Sequence, residues 1–276
     1  MNWKRLLPPV VLLLVWQGLS ASGVIPEYKL PSPLAVAAGL LDLIRTGMPP
    51  GHQLHLHVYY SVQRVLWGYA LALLAAIPLG ILMGWSRTIR NLMEPLVEMI
   101  RPVPPLAWIP IAILWFGIGG KSAAFIIFLG AFFPILLNTV NGVRSIDPVL
   151  IEAARVLNAG RRFIFLKVLV PGAVPSILTG MRIGIGIGWM TLVAAEFTGV
   201  KQGYGLGYMI MTARDIQRSD EIIAGMLVIG IGGSALGPQF VADALGGDGL
   251  RAAFARTAQV AAVKQQRKVT GQARDK

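Results

Sequence analysis

The sequence contains no cysteine. That excludes a disulfide framework, a thiolate nucleophile and a cysteine-ligated metal. Charge is also scarce: Asp, Glu, Lys and Arg make up 14% of the 276 residues, against about 25% in an ordinary soluble domain. So few charged side chains cannot cover a water-facing surface. Acids are scarcer than bases, 13 against 25, giving a formal net charge of +12. Three histidines are present, with no Ser-His-Asp pattern and no pair of carboxylates placed for acid–base work. The chain is therefore read as not an enzyme, with no catalytic, cofactor or metal site. What the sequence has in abundance is apolar residues, at 55%, with a mean hydropathy of +0.64. That excludes a disordered chain.

A bilayer core about 30 Å thick takes about 20 apolar residues in a helix. Charge-free windows cover 6–26, 65–86, 102–120, 122–143 and 222–242, and 168–195 holds the single charge Arg182. The expectation is an all-α polytopic membrane protein with about six transmembrane helices. The third window carries Pro102, Pro104, Pro105 and Pro110, so its first half should be irregular or kinked. The first window follows Lys4 and Arg5 and ends near Ser20-Ala21-Ser22. It can be read as a cleaved signal peptide, although five spans downstream favour an uncleaved helix.

Positive charge sets orientation. With the N-terminus cytoplasmic, segments 1–5, 87–101 and 144–167 lie inside. They hold ten basic residues (Lys4, Arg5, Arg87, Arg90, Arg101, Arg144, Arg155, Arg161, Arg162 and Lys167) against four acids, Glu94, Glu98, Asp147 and Glu152. The opposite segments are more evenly mixed. The excess of base thus reports loops facing anionic lipid, and nucleic acid is not expected as a partner.

Within the inside segment 144–171, Asp147 followed by Pro148 reads as a helix start. The helix should run to about Leu157, ended by Asn158 and Gly160 in left-handed geometry. A second segment should run from Arg161 to Val170 and stop at Pro171. Leu150, Ala153 and Leu157 share one face of the first helix at helical spacing. Such a short, amphipathic, basic pair of segments suits a groove on a partner protein or the lipid headgroups.

Glu152-Ala153-Ala154, followed at the right distance by Val168-Leu169-Val170-Pro171, resembles the EAA loop of permease subunits of ABC importers. The glycine of that pattern falls on Asn158, a departure that keeps the same turn geometry. Arg101–Pro110, Leu114–Gly119, Ala195-Glu196-Phe197, Gly205-Leu206-Gly207 and Ala213-Arg214-Asp215 resemble the nitrate, sulfonate and taurine branch of that family, in the same order. The resemblance covers roughly residues 60–230. It implies a type I importer permease in the bacterial inner membrane, active as a homodimer. It implies two further partners: a separate ABC ATPase subunit docking on the EAA loops, and a periplasmic solute-binding protein delivering a small anion. ATPase coupling would fall on Glu152, Ala153, Ala154, Asn158, Gly160 and Pro171. The implied organisation is a first helix and periplasmic segment over 1–60, a permease core over 61–235 and an atypical basic tail over 236–276.

Gly180, Gly184 and Gly188 recur every fourth residue, a stripe that lets helices approach closely and would border the pathway. Glu196, near the end of the fifth window, reads as a pathway or gating residue or as an interfacial one. Arg182 would snorkel or pair, and Glu94, Glu98 and Arg101 share a face and could pair. His52, His55 and His57 read as a solvated loop. Gly120-Lys121-Ser122 lacks the earlier glycine of a phosphate-binding loop. The sixth window is interrupted by Gly230, Gly232, Gly233, Gly237 and Pro238, which suggests a reading-frame change near residue 231. The alternatives are a permease impaired by that end, a non-transporting membrane scaffold, or an ion-coupled carrier. The last needs midplane carboxylates, and only Glu196 qualifies.

Overall fold

The computed structural model describes residues 3–23, 25–197 and 203–235, and among these there is no strand. Helices α1 (Trp3–Ala21), α2 (Pro33–Arg45) and α3 (Leu54–Trp85) come first. Next are α4 (Arg87–Ile100), a 3₁₀ turn over Pro105–Trp108, and α5 (Ile109–Phe116). Helices α6 (Gly120–Arg144), α7 (Pro148–Val156) and α8 (Arg161–Ile164) follow, then a π-turn over Phe165–Leu169. The described part closes with α9 (Val170–Phe197), α10 (Leu206–Asp215) and α11 (Ser219–Ala235). Local chemistry fixes several starts. Ser32 caps α2 by accepting the Ala35 N–H at 3.1 Å, and Ser86 caps α4 through Ile89.

Three helical runs are long and apolar enough to cross a membrane: Leu54–Trp85, Gly120–Arg144 and Arg161–Phe197. The other expected spans differ. Helix α1 runs 19 residues, Trp3–Ala21, close to the roughly 20 that a straight crossing takes. The proline-rich third window is broken: α4 and the Pro105–Phe116 segment meet at 83°, where proline removes donors and clashes with the preceding turn. The sixth span is described as far as Ala235: α11 runs helical through Gly230, Gly232 and Gly233, across the point near residue 231 suspected of a frame change, while Gly237, Pro238 and the tail over 236–276 lie outside the described residues.

Helix α6 is the centre, packed along its length against α3 and α9. Small residues make this possible. On α3, Gly68, Ala72, Ala76, Gly80 and Gly84 recur at every fourth position. Ala72 and Ala76 are fully buried, and a Cβ at Gly84 would lie 2.5 Å from the Val143 Cβ. On α9, a Cβ at Gly180 would lie 2.8 Å from the Asn138 Cβ, and one at Gly184 2.9 Å from Ile135 Cγ1. At Gly188 the Ile127 side chain lies 3.3 Å away. Dispersion contacts, which grow as backbones approach, are the main attraction between helices in lipid.

Pro171 does not stop a helix. Its ring would crowd the carbonyl four residues earlier in a regular helix, but the π-turn over Phe165–Leu169 widens the backbone just before it. The Val170 N–H bonds back to the Phe165 carbonyl, and the helical run continues to Phe197.

Candidate functional site

Three features carry chemistry or docking potential. The first is the α7–α8 hairpin. Asp147 accepts the Val149 N–H at 3.0 Å, with Pro148 at the first helical position. Asn158 turns the chain at φ 59, the left-handed geometry that Asn tolerates. Gly160 does not share that geometry: it is extended, at φ −65 and ψ 158, and leads into α8. The inner face of α7, Ile151 and Ala154, packs with Val143, Ile164 and Leu169. The outer face carries Val149, Leu150, Val156 and Leu157, with Val156 and Leu157 more than 80% exposed. Leu150, Ala153 and Leu157 thus point away from the protein, next to Glu152.

The second feature is a buried polar hub joining α3, α9 and the start of α10. Arg64 Nη1 donates to Glu196 Oε1 at 2.6 Å, and Nη2 donates to the Tyr204 carbonyl at 2.7 Å. Ser61 Oγ donates to Glu196 at 2.8 Å and accepts the Leu206 N–H at 2.9 Å. The Gly207 N–H reaches Glu196 Oε2 at 2.9 Å. Glu196 has no exposed surface; its oxygens are spent on this hub and face no open path in this conformation. The two glycines leave room for it: a Cβ at Gly205 would sit 2.7 Å from Glu196 Cδ, and one at Gly207 2.5 Å from the Val193 carbonyl oxygen.

His57 belongs to the same hub and is not in a solvated loop. It is fully buried on α3. Its Nδ1 lies 2.9 Å from both the N–H and the carbonyl of Gly205, and its Nε2 lies 3.1 Å from the His52 carbonyl. The charge-free window 65–86 stops short of Arg64, whereas α3 begins at Leu54 and carries Arg64 inside it. The only signal in the sequence was the Gly205-Leu206-Gly207 spacing beside Glu196.

The third feature is the pair of opposite faces on α9. Gly180, Gly184 and Gly188 face α6. Away from α6, Thr179, Ile183, Gly186 and Met190 are exposed, and a Cβ at Gly186 would meet nothing within 4 Å. Half-buried Arg182 shares this face. Its Nε is buried without a hydrogen-bond partner, and among the described residues no carboxylate pairs with it. Glu94, Glu98 and Arg101 do not pair either among those residues; they stand exposed on and just after α4. Separately, a cavity of about 1070 Å³ opens between α3 and the α5–α6 corner, lined by Tyr60, Arg64, Trp67, Lys121, Phe125 and Phe128 among others.

At the Leu54 end of the bundle, Arg218 ties α2 to the start of α11. It reaches Asp42 at 3.1 Å, Asp220 at 2.9 Å and Glu221 at 2.8 Å. The side-chain hydrogen bond from Thr46, then Arg218, holds the Asp42 carboxyl below the usual carboxylate range. The Asp220 carboxylate beside it raises the pKa of Arg218.

A family model described as binding-protein-dependent transport system inner membrane component matches residues 76–238, more than half of the chain. The chain belongs to this family. This permease is 40% identical over 221 residues to the taurine transport system permease protein TauC of Escherichia coli K12, covering 80% of each chain. The bicarbonate transport system permease protein CmpB of Synechococcus elongatus is 36% identical over 211 residues, covering 71% of this chain and 74% of CmpB. A solved structure of the MetNI methionine ABC transporter in inward-facing conformations superposes with a TM-score of 0.59 at 21% identity. It covers 71% of this chain and 94% of that one, and at that identity it shows a shared fold. The chain is an ABC importer permease subunit of the membrane. Such subunits are not enzymes themselves, since ATP is hydrolysed by a separate subunit. The matched range contains α7, Glu196 and the exposed face of α9.

Proposed function

We propose that this permease moves a small anionic solute across the bacterial inner membrane by alternating access, driven through α7 by a separate ATPase. The observation that carries the reading is the outer face of α7. An apolar surface beside Glu152, on a helix firmly seated by Ile151 and Ala154, suits insertion into a cleft of a partner. Glu152 and Ala153 would make the contact and Ala154 would seat the helix behind them, while Asn158 sets the turn. From Arg161 the backbone runs through the π-turn and Pro171 to Phe197 as one helical run. A push on the hairpin therefore reaches the middle of α9 without a flexible joint.

The remaining parts of the reading follow from charge and kinship. The basic bias of 1–5, 87–101 and 144–167 puts these segments and the N-terminus on the cytoplasmic side, where an ATPase would be. The permease would work as a two-fold homodimer fed by a periplasmic solute-binding protein. Relatives named for taurine and bicarbonate point to a solute with an oxyanion group, such as nitrate, taurine or an alkanesulfonate.

Glu152→Lys should abolish co-purification with the ATPase while leaving insertion in the membrane intact. Unchanged co-purification refutes the docking role. Growth of a deletion strain on nitrate, taurine or alkanesulfonates as sole nitrogen or sulfur source identifies the solute.

A further inference from the structure

The spans contain very few ionisable groups. Across Leu54–Trp85, Gly120–Arg144 and Arg161–Phe197 the only acid is Glu196, and it is consumed by Arg64 at 2.6 Å. Arg182 is therefore a cation without a counter-charge on these spans. It stands 12 residues from Val170 and 15 from Phe197, about 18 and 22 Å from the two ends of α9 at 1.5 Å per residue. Arg182 lies within the membrane-spanning run Arg161–Phe197, where a lone ion facing lipid is costly. The cost is avoided if the face is wet and its occupant is an anion.

The surroundings fit that assignment. Arg182 lies on the side of α9 turned away from α6, among exposed Thr179, Ile183, Gly186 and Met190. Gly186, one turn on, leaves open space beside the helix. No acid lies on this face. We propose that Arg182 is the residue that meets the oxyanion group of the solute within the membrane and excludes cations from the path. The proposal rests on the reading of the chain as an anion permease. In a homodimer the two copies of Arg182 would supply two such charges. A guanidinium fork suits the flat or tetrahedral oxygens of a carboxylate, nitrate or sulfonate.

The absence of cysteine gives a direct test in the complete, reconstituted transporter. Gly186→Cys introduces the sole thiol of this chain where a side chain meets no neighbour, with the other subunits used as cysteine-free variants. Its rates with an anionic and a cationic methanethiosulfonate reagent read the local charge. In the native background the anionic reagent is expected to react faster. Adding Arg182→Gln should lower the anionic-to-cationic rate ratio about tenfold, since one unit charge at about 6 Å in water changes the two rates about threefold each in opposite directions. Adding Arg182→Lys should preserve the ratio. A thiol that reacts with neither reagent, or a ratio unmoved by Arg182→Gln, overturns the proposal.

Uptake of labelled taurine, methanesulfonate and bicarbonate completes the test. Arg182→Gln should reduce the transport of whichever anion is carried at least tenfold, with partial rescue by Arg182→Lys. Native rates in Arg182→Gln overturn the proposal. If the unaltered transporter carries none of the three anions while the thiol ratio behaves as expected, the anion cargo is wrong and the wet cationic path stands.

Discussion

Arg64 and Arg182 are two arginines on long apolar helices, and the fold treats them oppositely. Arg64 is buried, with both terminal nitrogens spent on Glu196 and the Tyr204 carbonyl. Arg182 has a buried Nε without a partner and stands on the open face of α9. A buried ion pair is costly to assemble but more costly to break, because the surviving charge keeps its desolvation penalty. An unpaired charge on an open face carries no such local dependence. The first arginine therefore holds the structure together, and the second is available for a ligand.

Five stability measurements sharpen or break this contrast. Glu196→Ala strands Arg64 and should lose about 3–5 kcal/mol, read as a large drop in melting temperature in detergent. The double variant Arg64→Met with Glu196→Met should recover much of that loss; if it does not, hydrogen bonds to the α9–α10 corner outweigh the pair. Gly84→Leu should cost about 1–3 kcal/mol or more by overpacking, since its Cβ would already collide with Val143.

Arg182→Gln should change stability by less than about 1 kcal/mol, as expected for a half-buried side chain with no hydrogen-bond or ion-pair partner among the described residues. A loss comparable to that of Glu196→Ala would show that Arg182 also has a structural partner. Asp42→Ala should have the smallest effect, at most about 1 kcal/mol for a partly exposed ion pair. The Asp42 pKa is lowered in the folded state. Its contribution is therefore complete above the ordinary carboxylate pKa near 4 and is lost as pH falls through the lower folded value. A difference between Asp42→Ala and the parent that does not shrink as the pH is lowered from neutral into the acid range would contradict this.

Legibility in the sequence varied with the range of the interactions involved. The start of α7 at Asp147-Pro148 and the turn at Asn158 depend on neighbours a few residues apart, and both were readable. The broken third span followed from four prolines close together. The stripe Gly68, Ala72, Ala76, Gly80 and Gly84 was present at regular spacing, but small residues in an apolar run look like filler until their partner helix is known. The continuation through Pro171 was hidden because a π-turn upstream of a proline leaves no distinctive residue pattern. The outward aim of Leu150 and Leu157 was equally hidden, because an amphipathic period shows that a helix has two faces and not which one is covered.

By itself the sequence determined the solvent of this protein. Few charges and long apolar windows leave only a bilayer, since transfer energies add residue by residue and need no knowledge of contacts. It also fixed the order of its motifs and the local geometry of the α7 hairpin. Only the tertiary structure decided what each charge does. Ser61, Arg64 and Glu196 lie more than 130 positions apart along the chain at the extremes, and the energy of a charge in a low-dielectric interior depends on distances of a few ångströms. The approach of α3 to α9 turned Arg64 into a strut, and the packing of α6 against the other side of α9 left Arg182 open.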